Sequence, residues 1–174
     1  PATKKDCTLE MEKFASDFME SHPDADGFIL KAYSPSCGIK GVKIYPALEN
    51  VSSVDTGAGF FAAAALEKYP GLAIEDELRL SNFRIREHFL TKIFTAAEFR
   101  KISAKPSMGA LVKFQAENKL LLLTYNQSKM REMGKLVANH EKRPAAEVFK
   151  DYGALLHKAF ARTPSHNSNV NTLM

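Results

Sequence analysis

From Ser81 onward the sequence carries only helical periodicity, and before it one run alone reads clearly as strand; that change of pattern most constrains the fold. Ser81 can cap a helix with Phe83, Phe89, Leu90, Ile93, Phe94 and Ala97 on its apolar side, ending near Ser103 before Pro106. Ser107 can cap a second, with Met108, Leu111, Val112, Ala116, Leu120 and Leu123. A third carries Met130, Met133, Gly134 and Val137. A fourth opens at Pro144, a favoured first helical position, and carries Val148, Phe149, Tyr152, Leu155, Leu156 and Ala159. Four amphipathic helices with short connections predict a helical domain. Thr163 to Met174 has no charge and no period, and reads as a tail.

The earlier part has a different grammar. Asp6 or Thr8 can cap a helix to about Glu20, with Met11, Phe14, Ala15 and Phe18 on one stripe. After the turn residues His22 to Gly27, Phe28-Ile29-Leu30 reads as a short buried strand. Val42 to Tyr45 alternates weakly, as a further strand or an extended arm. Asp55 to Gly59 opens an alanine-rich helix from Phe60 to about Lys68, which Pro70-Gly71 ends. Helix, strand, loop and helix make an α/β unit, yet one clear strand is no sheet, so the other strands are expected from elsewhere. The expected fold is an α/β remnant with an incomplete parallel sheet (residues 1–78), followed by an all-α helical domain (residues 79–174).

Charge divides at the same place. Residues 1–78 hold 7 Lys/Arg against 13 Asp/Glu, a balance of −6; residues 79–174 hold 17 against 7, a balance of +10. Such asymmetry points to a polyanion or an acidic partner for the second half. Arg79, Arg84, Arg86, Arg100, Lys101, Lys119 and Lys135 lie mostly off the apolar stripes and are the candidate RNA contacts. Aromatic residues are largely committed to the core periods, so phosphate contact with a structured RNA fits better than base stacking. A merely solvated helix surface is the plain alternative.

Two cysteines exclude a disulfide scaffold and a self-sufficient four-cysteine zinc site. The longest apolar run, Phe60 to Leu66, falls far short of the ~20 residues of a membrane helix. No charged-then-apolar leader opens the chain, so the cytoplasm is the expected compartment. The first residue is Pro1, which reads as a processed chain, an expressed piece or a fragment of something longer.

Ser34-Pro35-Ser36-Cys37-Gly38 is the stretch richest in chemistry. It sets a thiol and two hydroxyls at the C-terminal end of a strand, where open α/β sheets bind ligands. Cys37 suits a metal or iron–sulfur thiolate or a nucleophile; a small residue in a tight turn is the competing reading. Gly57-x-Gly59 before a helix offers either an anion contact or a tight turn with close helix packing. His22, His88, His140, His157 and His166 show no metal-ligand spacing.

Lys31, the Ser34–Gly38 loop and Gly57-Ala58-Gly59-Phe60 resemble the C-terminal half of the thiouracil desulfidase (TudS-like) family. Arg79-Leu80, Arg86 to Phe89, Leu111 to Gln115, Lys119 to Leu122 and Gly134 to Ala138 resemble the YbgA-like helical domain that commonly follows it. The resemblance implies removal of sulfur from thiolated uracil, with 4-thiouridine in tRNA the expected substrate. It implies a four-iron four-sulfur cluster held by three cysteines, of which Cys37 matches the last, and a catalytic serine, which is Ser34 or Ser36. The family's first two cysteines and the glutamate beside the second are absent here, and Cys7 reads as structural. No stable cluster, and no activity, is therefore expected of this chain alone. Gln115 and Asn118 stand where the family often has histidines. The expected partners are tRNA or a thiolated uracil nucleotide and the absent N-terminal segment, and a homo-oligomer is compatible with the sequence. A non-catalytic RNA-binding or protein-interaction module and a cysteine-dependent hydrolase are the rival classes.

Overall fold

The computed structural model describes residues 5–47 and 51–165, so His166 and the tail from residue 166 on lie outside the described residues, as do Pro1 and its three successors. The chain forms two compact units, Pro1–Leu90 and Thr91–Met174. It is a small parallel sheet region followed by helices, the fold class expected from the sequence.

The first unit runs α1 (Thr8–Ser21), β1 (Gly27–Leu30), β2 (Val42–Ile44), β3 (Asp55–Gly57), α2 (Phe60–Lys68), β4 (Ala73–Asp76) and a 3₁₀ turn at Arg79–Ser81. β1 and β4 pair in parallel, with Gly27 opposite Ala73 and Leu30 opposite Asp76. The strand paired with β1 therefore comes from within the chain, which corrects the expectation that all its partners lie elsewhere. β4 escapes a sequence reading because Ala73-Ile74-Glu75-Asp76 is short and half acidic. β2 and β3 form a separate antiparallel pair, so Asp55 to Gly57 is strand and only Gly59 stands at the helix entrance.

Small residues let the helices of this unit close in. Ala15 of α1 and Ala62 and Ala65 of α2 have no exposed surface, and they meet Met19, Leu30 and Phe61. Phe61 takes Phe18 and Phe28 edge-on, with ring centroids 5.4 and 5.5 Å away. Phe14, expected on the apolar stripe of α1, stays more than half exposed.

α3 (Phe83–Ser103) spans the limit between the two units. Asn82, and not Ser81, caps it: its Oδ1 accepts from the amides of Arg84 and Ile85. Phe83 and Phe94 are each 65% exposed, so the apolar side expected for this helix is only partly buried, chiefly at Phe89.

In the second unit α4 (Met108–Tyr125), α5 (Gln127–Ala138) and α6 (Ala145–Ala159) bury a core of large side chains. Leu111, Leu122, Met133, Val148 and Tyr152 are its most enclosed members. Phe99 of α3 stacks on Phe149 and Tyr152. Ser107 caps α4 as expected, accepting from Ala110 N–H at 3.2 Å. Pro144 is the cap residue of α6 rather than its first helical residue. Gln115 and Asn118 face inward: the Tyr152 hydroxyl donates to Gln115 Oε1 at 2.6 Å, and Asn118 Nδ2 donates to the Phe114 carbonyl. Both positions belong to the buried side of α4.

Candidate functional site

β1 ends at Leu30, and the chain leaves the sheet at its C-terminal edge into the loop that carries Ser34, Ser36 and Cys37. Tyr33 enters the loop in the left-handed region, φ 57°, a conformation that costs a side chain about 1–2 kcal/mol. Its ring lies against Gly41, which itself has φ 71°, where a methyl group would sit 3.1 Å from the ring edge. The Gly38 amide donates to the Ser34 carbonyl at 2.8 Å and closes the turn. Pro35 and Gly38 thus hold a tight irregular backbone, and the two serine side chains converge within it. Ser34 Oγ and Ser36 Oγ are 3.0 Å apart. Two hydroxyls hydrogen-bonded to each other use one O–H between them and leave the second to donate elsewhere.

The far end of the loop is seated on α2. The Gly59 amide donates to the Gly38 carbonyl at 2.8 Å, and the Phe61 amide donates to the Ser36 carbonyl at 2.7 Å. A loop carbonyl thus satisfies a first-turn amide of α2 in place of a side-chain cap. Of the two roles open to Gly57-x-Gly59, close packing is the one seen at Gly59.

Cys37 is half-buried, with Sγ 3.9 Å from the Lys31 carbonyl. Burial pushes its thiol up, but the hydroxyls of Ser34 and Ser36 and the Lys31 backbone outweigh this and hold it below the usual thiol range. Glu77, the residue after β4, reaches the start of the same loop. Its carboxylate accepts from the Ala32 amide at 2.8 Å and pairs with the Lys31 ammonium. The Lys31 contact, with the Ala32 amide, holds Glu77 below the usual carboxylate range, and Glu77 holds Lys31 above the usual amine range. Glu77 is absent from the sequence-derived candidates because its strand was. The acidic run Glu75-Asp76-Glu77 just after Ala73-Ile74 is the signal that could have found it.

The candidate RNA contacts divide between the units. Arg79, Arg84 and Arg86 are in the first; Arg100, Lys101, Lys119 and Lys135 are in the second. Arg79 is committed to Glu75, with Nε 2.6 Å from Oε2 and Nη2 3.1 Å from Oε1. Arg86 donates to the Leu80 carbonyl at 2.9 Å and lies over the Phe83 ring. Arg84, Arg100, Lys101, Lys119 and Lys135 are exposed, and Lys135 lines a cleft of about 500 Å³ with Leu136, Asn139, His140 and Arg143.

Comparison with known families bears on both regions of the chain. Residues 1–77 match the family model for 2-thiouracil desulfurase. Over those residues the chain is similar to 2-thiouracil desulfurase. Residues 119–174 match a second family model, described as a protein of unknown function (DUF1722). The order, desulfurase-like match then YbgA-like helical match, is the one the sequence motifs imply. No curated protein and no solved structure matches the chain.

The desulfurase match is compatible with an iron–sulfur cofactor. The residues of this chain do not fit a four-iron cluster, however. Such a cluster takes about three or four thiolates, and the sequence holds Cys7 and Cys37 alone. Cys7 is exposed at the start of α1, and among the described residues no three His, Cys, Asp or Glu side chains converge. No described helix is long and apolar enough to cross a membrane.

Proposed function

We propose that residues 1–78 carry the Ser34–Cys37 loop of a cytoplasmic desulfidase acting on thiolated uracil, with 4-thiouridine in tRNA as substrate, and that residues 79–174 supply the RNA-binding surface. The observation that carries this reading is the match of residues 1–77 to the desulfurase family together with the pairing of Ser34 and Ser36 beside Cys37. Sulfur removal is hydrolytic: water adds to the thiocarbonyl carbon, the carbon–sulfur bond breaks, and sulfur leaves as hydrosulfide. In this reading the O–H left over by the serine pair turns from the Cys37 thiol to the substrate's sulfur or its carbonyl oxygen as charge gathers there. Cys37 is the thiolate this chain can offer to an iron–sulfur centre whose other ligands come from other residues.

Sulfide release from 2-thiouracil and from thiolated tRNA tests the reading, measured for the chain alone and with a desulfurase N-terminal segment added. Release that requires the added segment and is lost in Cys37→Ala and in the double variant Ser34→Ala, Ser36→Ala is the expected result. Absence of release under both conditions would leave the non-catalytic RNA-binding module, which the count of two cysteines favours for the chain by itself. Anaerobic reconstitution of the chain alone, followed by iron and sulfide analysis, is expected to fall well short of one full cluster per chain.

The RNA surface has its own test. Each neutralised phosphate contributes roughly −0.7 to −0.9 to the slope of log affinity against log salt. Replacing Arg84, Arg86, Arg100 and Lys101 together is expected to weaken tRNA binding and flatten that slope. A folded quadruple variant with unchanged affinity and slope would show that these cations are not the RNA face.

A further inference from the structure

We propose that Glu77 and Gly59 are positioning residues for Cys37, one anchoring the start of its loop and the other giving the loop's far end its seat on α2. The inference rests on reading Cys37 as the functional thiol of the desulfurase region.

At the start of the loop the Ser34 amide donates to the Lys31 carbonyl at 3.4 Å, and Glu77 adds three contacts from β4's end. β1 ends at Leu30, and its register with β4 ends one pair before Glu77. The Glu77 amide donates to the Leu30 carbonyl at 3.3 Å, and its carboxylate accepts from the Ala32 amide at 2.8 Å and from the Lys31 ammonium. Three contacts from one residue thus extend the strand pairing past its last ladder position and fix Lys31 and Ala32. The Lys31 carbonyl is in turn the group that faces Cys37 Sγ. Removing the carboxylate takes away a charge-assisted hydrogen bond to a backbone amide, the stronger kind.

Gly59 acts at the other end by what it lacks. Its φ of −71° and ψ of 160° suit any residue, so its glycine is not demanded by backbone conformation. Space demands it. A Cβ at Gly59 would stand 2.6 Å from the Cys37 amide nitrogen, 2.6 Å from the Ser36 carbonyl carbon and 2.8 Å from the Pro35 oxygen. All three are backbone atoms, which cannot swing aside as a flexible side chain would. Any side chain here must push the Pro35–Cys37 backbone off α2 and strain the Phe61 amide to Ser36 carbonyl bond.

Cys7 supplies an internal control, because it is exposed at the start of α1 and takes no part in the loop. The folded chain is treated with iodoacetamide, and alkylation of Cys37 relative to Cys7 is followed by mass spectrometry. Glu77→Ala is expected to raise the Cys37:Cys7 rate ratio about tenfold, the shift in open population that loss of one charge-assisted hydrogen bond gives. Gly59→Ala is expected to raise it as well. Glu77→Gln keeps an acceptor for the Ala32 amide and is expected to restore most of the parent ratio, which a merely destabilising substitution would not do. Gly109→Ala, where a Cβ meets nothing within 4 Å, is expected to leave it unchanged. A folded Glu77→Ala variant with the parent ratio overturns the role of Glu77, and this holds even if Gly59→Ala fails to fold. A folded Gly59→Ala variant with the parent ratio overturns the role of Gly59. Sulfide release by the parent with the added N-terminal segment, and no shift in any ratio, would defeat the positioning roles alone. A shifted ratio in a chain that releases no sulfide with any N-terminal segment would keep them and defeat the desulfidase reading.

Discussion

The two units solve the packing problem in opposite ways. In the second, α4, α5 and α6 fill their shared interior with Leu111, Leu122, Met133, Val148 and Tyr152. In the first, the most enclosed residues are Ala15, Ala62 and Ala65, and closeness rather than bulk makes the core. Large apolar residues remain outside in both units, Ile29 of β1 at 62% exposure and Leu120 of α4 at 66% among them. The difference tracks what each unit has to do. A helical bundle gains stability from every large side chain it encloses. The first unit needs glycine at Gly59, where the loop meets α2, and alanine in the core shared by α1 and α2, and accepts a thinner core.

That contrast can be broken from either side. The largest effect is expected from Leu122→Ala, which empties a fully enclosed site in the helical core and should cost about 2–5 kcal/mol. Urea denaturation followed by circular dichroism checks it, and an unchanged midpoint would mean that this core is looser than its burial shows. The mirror experiment is Ala62→Leu, which adds bulk where α2 meets the first unit's core and should cost about 1–3 kcal/mol. Because α2 also seats the Cys37 loop, Ala62→Leu is expected to change alkylation of Cys37 relative to Cys7. Leu122→Ala is expected to leave that ratio as it is. The same response from both variants would erase the distinction between the cores.

The helical unit was largely legible in the sequence because the information is local. Leu111, Met133, Val148 and Tyr152 lie on the expected stripes, and Ser107 announces a helix by its own chemistry, but in α4 the buried side carries Phe114 and Leu122 while Val112, Ala116 and Leu120, expected inside, are exposed. The exposed Phe83 and Phe94 mark the limit of that logic, since periodicity says which residues share a face and not whether anything covers it. The first unit was less legible because its information is not local. Ala73 to Asp76 becomes a strand only by pairing with β1, more than forty residues earlier in the chain. The loop itself announced Ser34, Ser36 and Cys37, but Glu77 enters the site through that long-range pairing. Gly59 was visible as a glycine before a helix, and only the three backbone atoms around it show why it is one.

A middle-sized effect tests the local logic directly. Ser107 Oγ accepts the Ala110 amide at the start of α4, whereas α2 has no side-chain cap and receives the Ser36 carbonyl instead. Ser107→Ala is expected to cost about 1 kcal/mol, read as a shift in the urea midpoint with the slope unchanged. The contrast with α2 is sharpened if this variant leaves Cys37 alkylation untouched, because the cap of α4 serves the helix alone.

The smallest effect separates a carboxylate that anchors a loop from one that merely decorates a helix. Glu132 lies three residues after Lys129 on α5, and the Lys129 ammonium donates to both its oxygens at 2.9 and 2.8 Å. That hydrogen bond holds its carboxyl below the usual carboxylate range, as the Lys31 contact does for Glu77. In both cases the folded-state value is depressed. The stabilisation is thus present at pH above the ordinary unfolded carboxylate value and is lost as pH falls through the lowered folded value. Lys129→Met is expected to return the Glu132 midpoint toward the ordinary range in a carbon-detected NMR titration, with little change in stability, because the pair is partly open to solvent and screened. The same titration carries Glu77 as its reference, since its own partners are Lys31 and the Ala32 amide, and its midpoint is expected to stay low in that variant. An unmoved Glu132 would mean that Lys129 is not what lowers it, and the resemblance between the two carboxylates would then be one of number and not of cause.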